Sequence, residues 1–140
     1  MLRQVSILLF LLIILSCKED SLNANADFVS IAGTWGLKEV EKGSFGQKYW
    51  TASIGQTDHK IIFRQDGAVL DADSLSMCCA PTSLLINGQL LDIKPVTPVK
   101  INPLCSLVNC VTCPQWELEW KKNEIIILYC NGSREKYVRL

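Results

Sequence analysis

Gln115-Trp-Glu-Leu-Glu-Trp-Lys-Lys-Asn-Glu-Ile-Ile-Ile-Leu-Tyr-Cys130 decides the fold class of this chain. Apolar Trp116, Leu118 and Trp120 alternate with Glu117 and Glu119, and Ile125, Ile127 and Tyr129 repeat the period beyond Lys122-Asn123. A period of two marks a half-buried strand, and two such runs around a two-residue reversal make a hairpin. With Lys121 opposite Glu124, Trp116 faces Tyr129, Leu118 faces Ile127 and Trp120 faces Ile125. One face is then aromatic and aliphatic, while the glutamates point the other way.

The same pattern extends outward. Strands are expected over Thr34–Glu41, Asp58–Arg64, Ala68–Asp73, Ser83–Ile86, Gln89–Lys94, Gln115–Lys121, Glu124–Cys130 and Glu135–Leu140, and no segment reads as an amphipathic helix. Asn87-Gly88 carries a strong hairpin signal, and Gln65-Asp66-Gly67 offers a second tight reversal. Eight short strands joined by hairpins predict an all-β domain. An eight-stranded antiparallel up-and-down barrel is its natural form, because closure removes exposed sheet edges.

Fourteen basic side chains balance fourteen acidic ones in 140 residues. That balance removes the basis for nucleic-acid binding, which needs a surplus of Lys and Arg against phosphate. Residues 5–15 are apolar but for Ser6, follow Arg3 and precede Ser16-Cys17. As a helix they reach only about 17 Å, well short of a bilayer core of about 30 Å, so they read as a signal peptide. Ile14-Leu15-Ser16-Cys17 resembles the lipobox of bacterial lipoproteins. The resemblance implies cleavage after residue 16 and acylation of Cys17, which anchors the chain to a lipid bilayer. Lys18-Glu19-Asp20 is similar to the export signal of Bacteroidota surface lipoproteins. Residues 1–16 are thus the expected signal peptide, 17–30 a lipidated N-terminus and flexible tether, and 31–140 the barrel domain. The expected location is the bacterial cell envelope, as a surface-exposed outer-membrane lipoprotein.

Gly33-Thr34-Trp35 resembles the Gly-x-Trp that opens lipocalins and lipocalin-like bacterial lipoproteins, and Phe63-Arg64-Gln65-Asp66-Gly67-Ala68-Val69 is similar to a strand-turn-strand of the same group. In that family the tryptophan closes one barrel end beneath an arginine near the last strand, which implies Trp35 beneath Arg139. Residues 42–57 stand where lipocalins carry their first lid loop, making Phe45, Tyr49 and Trp50 candidate lid residues.

Apart from Cys17 the cysteines are Cys78, Cys79, Cys105, Cys110, Cys113 and Cys130, an even set consistent with disulfides in an exported domain. The hairpin register brings Cys113 within bridging reach of Cys130, the best pair. Cys78 and Cys79 then tie to Cys105 and Cys110 across the Pro-rich stretch 94–114. Two other chemistries share these residues: a soft-metal site built from Cys105, Cys110 and Cys113 with Cys78-Cys79, and a redox pair in Cys110-Val111-Thr112-Cys113.

His59 beside Asp58 has no nucleophile motif to serve, and Asp71 and Asp73 share a strand face as solvated carboxylates. No phosphate loop, dinucleotide fingerprint or calcium loop occurs. A non-enzymatic chain without a cofactor is expected. Two classes remain. In one, the barrel binds a small apolar ligand lined by Trp116, Leu118, Trp120, Ile125, Ile127 and Tyr129. In the other, a filled barrel presents its stapled loops to an envelope or host protein.

Overall fold

The computed structural model describes residues 28–54 and 59–140, in which the chain forms β1 (Gly33–Ser44), β2 (Gln47–Ala52), β3 (Lys60–Phe63), β4 (Val69–Leu70), β5 (Ser83–Ile86), β6 (Gln89–Asp92), β7 (Gln115–Lys121), β8 (Glu124–Leu128) and β9 (Arg134–Arg139). The signal segment, Cys17, Lys18-Glu19-Asp20 and Asp58 lie outside the described residues. No helix among the described residues is long and apolar enough to cross a membrane.

The chain is mostly β. Its strands join in the order β4-β3-β1-β9-β8-β7-β5-β6, with β2 added to the far half of β1, and the sheet curls into half a barrel. The β7–β8 register pairs Leu118 with Ile127 and Trp120 with Ile125. Alternation then sends Trp116 and Leu118 into the core and Glu117 and Glu119 to solvent.

The sheet departs from an antiparallel up-and-down barrel in two ways. First, β5 and β7 are parallel, Leu84 pairing with Trp116 and Ile86 with Leu118. The stretch between β6 and β7 contains Pro95, Pro98, Pro103 and Pro114, which lack the N–H groups a ladder needs. It makes only a short 3-10 turn, Pro103–Leu107, before the chain re-enters beside β5. Asn87 fastens this arrangement. Its Oδ1 accepts from Trp120 N (2.9 Å) and its Nδ2 donates to Trp120 O (3.1 Å), tying the β5–β6 turn to the end of β7.

Second, β4 and β6 do not pair, so the sheet stays open along a seam. Strand β4 is two residues long rather than running from Ala68 to Asp73, because Asp71 turns the chain. Its Oδ1 accepts from Asp73 N and Leu75 N, and its Oδ2 accepts from Asn102 Nδ2 (2.7 Å). Asp71 and Asp73 therefore do not share a strand face as solvated carboxylates. Side chains lace the seam where backbone does not. Arg64 and Asp66 form a two-pronged ion pair, Asp66 Oδ2 accepts from Val96 N (2.9 Å), and Arg64 donates to Thr97 O. These contacts hold the Asp66 carboxyl well below the usual carboxylate range, the Arg64 hydrogen bonds leading.

Residues 28–30 belong to the domain rather than to a tether, because residues 28–31 are helical and bury Phe28 and Ile31. The ring of Phe28 fills the space a side chain at Gly67 would need, its Cζ lying 2.7 Å from that Cβ position. Gly67 turns the chain at φ +83°, so two independent constraints select glycine there.

Residues 42–57 are not one loop. Strand β1 runs on to Ser44, and Phe45-Gly46, with φ of 51° and 79°, reverses it into β2. A two-residue turn with positive φ at both positions fits the strand twist, and the non-glycine at its first place hides the signal in the sequence.

Candidate functional site

The two ends of the curled sheet differ in chemistry. At one end Arg139 lies over the ring of Trp35, 4.3 Å from its centroid, and donates to Ala32 O and Ser30 O at 2.7 Å each. Trp35 Nε1 donates to Ile31 O (2.8 Å). These bonds supply partners to carbonyls around the helical turn, which otherwise end in unfilled acceptors. The turn, the indole and the guanidinium together form a plug.

At the opposite end a cavity of about 430 Å³ opens. It lies where β3 and β9 begin and β8 ends, walled by Ile61, Met77, Val111, Trp116, Tyr129 and Tyr137, with His59, Lys60, Asn131 and Glu135 adding polar groups. Trp116 meets Tyr129 edge to face at 4.9 Å. Glu135 pairs with Ile127 on β8, a fully buried residue, so it shares the inner side of β9 with Tyr137 and Arg139. Tyr129 and Tyr137 both donate to Glu135 Oε2, at 2.8 and 2.6 Å, and their oxygens are 3.3 Å apart. Burial above all, reinforced by the neighbouring Glu135, pushes both phenols above their ordinary range, so they stay protonated.

Three disulfides frame this end. Cys78–Cys105 and Cys79–Cys110 clamp the loop after β4 onto the Pro-rich segment, and Cys113–Cys130 joins the entry to β7 with the exit from β8. Cys78, Cys79, Cys113 and Cys130 line the cavity themselves. With all six paired, they offer no thiolate to a metal, and Cys110 and Cys113 belong to different bridges rather than forming a redox pair.

Scans of family models, of curated proteins and of solved structures find no match to this chain.

The residues expected to line a ligand space divide. Trp116 and Tyr129 border the cavity, whereas Leu118, Ile125 and Ile127 are completely buried and fill the core, with Trp120 packed against them. The indole N–H groups of Trp116 and Trp120 are buried with no acceptor among the described residues. An unmet buried donor costs about 1–3 kcal/mol.

Phe45, Tyr49 and Trp50 do not cover the cavity. Phe45 sits fully exposed at the β1–β2 turn, and Trp50 lies on the outer face beneath Lys136 Nζ (4.5 Å) and Arg134 (5.6 Å). Outward-facing Glu39 and Glu41, ion-paired with Lys136, Arg134 and Lys48, hold β2 against that outer surface. Sequence reasoning missed His59, Lys60, Ile61, Met77, Glu135 and Tyr137 as cavity residues. For Glu135 and Tyr137 a signal existed: both stand at even spacing from Arg139.

Proposed function

We propose that this chain is a non-enzymatic envelope lipoprotein, anchored in a bilayer through acylated Cys17 and displayed at the outer-membrane surface, whose lipocalin-like sheet holds a small, mainly apolar ligand. The observation that carries this reading is the cavity at the open end, of about 430 Å³, with aromatic and aliphatic walls and a few polar groups, Glu135 with the two phenol oxygens among them. Pockets of this size and mixture are typical small-molecule sites. The plug of Trp35 and Arg139 supports it by keeping water from the other end of the core.

Native mass spectrometry of the protein purified from its own envelope tests the pocket: a retained small-molecule mass, lost on denaturation, supports it, and the bare chain mass in every preparation sinks it. The anchor is tested separately. Inhibiting lipoprotein signal peptidase accumulates a precursor if Cys17 is processed, and unchanged processing removes the anchor from the proposal.

A second reading, a scaffold that contacts an envelope or host protein, is favoured by the segment between β6 and β7. Ile101, Leu104, Leu107 and Val111 are exposed on this stapled loop, where isolated solvated loops carry polar residues. Replacing Leu104 and Leu107 with serine then abolishes crosslinking to a partner protein while leaving any retained ligand in place.

A further inference from the structure

We infer that the ligand of the open-end cavity carries a protonated amine, recognised by Glu135 together with the oxygens of Tyr129 and Tyr137. This rests on the pocket reading above and specifies its chemistry.

The argument is a count of hydrogens. A phenol has one proton to donate, and Tyr129 and Tyr137 both commit theirs to Glu135 Oε2. What the cluster has left to offer is acceptance: lone pairs on two phenol oxygens and the second carboxylate oxygen. A carboxylate or phosphate brought to this cluster meets only acceptors. A hydroxyl supplies one hydrogen. An ammonium supplies three and also balances the charge of Glu135, giving charge-assisted bonds stronger than neutral ones. The rings of Trp116, Tyr129 and Tyr137 around the same space supply aromatic faces that attract a cation and pack its apolar body.

Lys60 and His59 also line the cavity. Among the described residues neither makes an ion pair with Glu135, and no other cation there does. On β3 the inward positions are Ile61 and Phe63, so the Lys60 side chain leaves from the opposite face of the strand.

The test compares three probes with one body and three head groups, 2-phenylethylamine, 2-phenylethanol and phenylacetate, binding to the full chain without reductant, followed by calorimetry and by tryptophan emission. The amine is expected to bind about ten- to hundredfold tighter than the alcohol, with phenylacetate weakest. Glu135→Gln, whose amide oxygen still accepts from both phenols, is expected to bring the amine down to the alcohol's affinity and leave the alcohol's unchanged. Equal binding of amine and alcohol overturns the inference while the pocket stands, and tightest binding of phenylacetate overturns it in favour of an anion site. No binding by any probe overturns the pocket reading and the inference with it. If Glu135→Gln fails to fold, the head-group ranking in the unaltered chain decides alone.

Discussion

Replacing Arg139 tests whether the closed end of the sheet is a plug rather than a surface ornament. In Arg139→Ala two hydrogen bonds of 2.7 Å disappear, to Ser30 O and Ala32 O, together with the stack on Trp35 at 4.3 Å. Partly exposed hydrogen bonds from a charged donor are worth about 1 kcal/mol each, and the cation–ring contact about another 1 kcal/mol, giving a loss of about 3 kcal/mol. For a domain of this size 1 kcal/mol moves the melting temperature by about 4 °C, so a drop of roughly 12 °C is expected. Arg139→Lys keeps the charge but loses the planar fork that reaches both carbonyls, so about half that drop is expected. Circular dichroism melts without reductant measure both. Hydrogen exchange adds a local readout. The Ala32 amide, which donates to Phe28 O (2.9 Å), is expected to lose protection in Arg139→Ala before the β7–β8 amides do. A melting temperature within about 3 °C of the unaltered chain, or unchanged protection at Ala32, refutes the reasoning.

Asn87→Asp keeps a turn-forming residue but loses the Nδ2 donor to Trp120 O, so its urea midpoint is expected to fall by an amount equivalent to about 1–2 kcal/mol, and an unchanged midpoint counts against this tie. Asp66 has a carboxyl depressed by Arg64 and by backbone N–H groups, so the stability it supplies is present above the ordinary value of about 3.9 and is lost as pH falls toward its folded value. The melting gap between the unaltered chain and Asp66→Asn is therefore expected to narrow below pH 4, and an equal gap at pH 7 and at strongly acid pH contradicts it. In Tyr49→Phe, Tyr129 and Tyr137 are the remaining phenols, and no phenolate absorbance is expected through pH about 10 while the chain stays folded. Above that pH the unfolded chain releases protons the folded one keeps, so stability falls; phenolate absorbance from the folded protein at pH 10 refutes the buried cluster. Alkylation under denaturing, non-reducing conditions is expected to leave all six paired cysteines unlabelled, and removing Cys113–Cys130, which closes a loop of 17 residues, to cost about 3 kcal/mol.

The elements legible in the sequence are those whose determinants lie close together along the chain. Trp116, Leu118 and Trp120 against Ile125, Ile127 and Tyr129 form a local hairpin whose turn length sets its register; the structure pairs Leu118 with Ile127 and Trp120 with Ile125, and brings Trp116 edge to face with Tyr129. The parallel β5–β7 pair was not legible, because it depends on where a chain of more than twenty residues lands after leaving β6. Prolines signalled that the stretch forms no strand, but they say nothing about which neighbour the next strand chooses. Phe45-Gly46 illustrates a different failure. A bulky residue at positive φ is unusual, so the composition read as a loop where the backbone makes a hairpin.

The cavity was half legible for a reason rooted in how charge is read. Glu135 stands in a charged run, Arg134-Glu135-Lys136, and such runs ordinarily face water. Period two nevertheless puts Glu135 on the same side of β9 as Tyr137 and Arg139, and Arg139 faces inward over Trp35. The inner face of this one strand therefore carries a cation at the plugged end, a phenol in the middle and a carboxylate at the open end. The cation is used up by carbonyls of the helical turn. Among the described residues the carboxylate takes its hydrogen bonds from two phenols, both on one oxygen. A strand that satisfies its inward charge with backbone at one end, and at the other presents a carboxylate held by two phenols at the mouth of a cavity, fits the division proposed above, structure at the first end and recognition at the second.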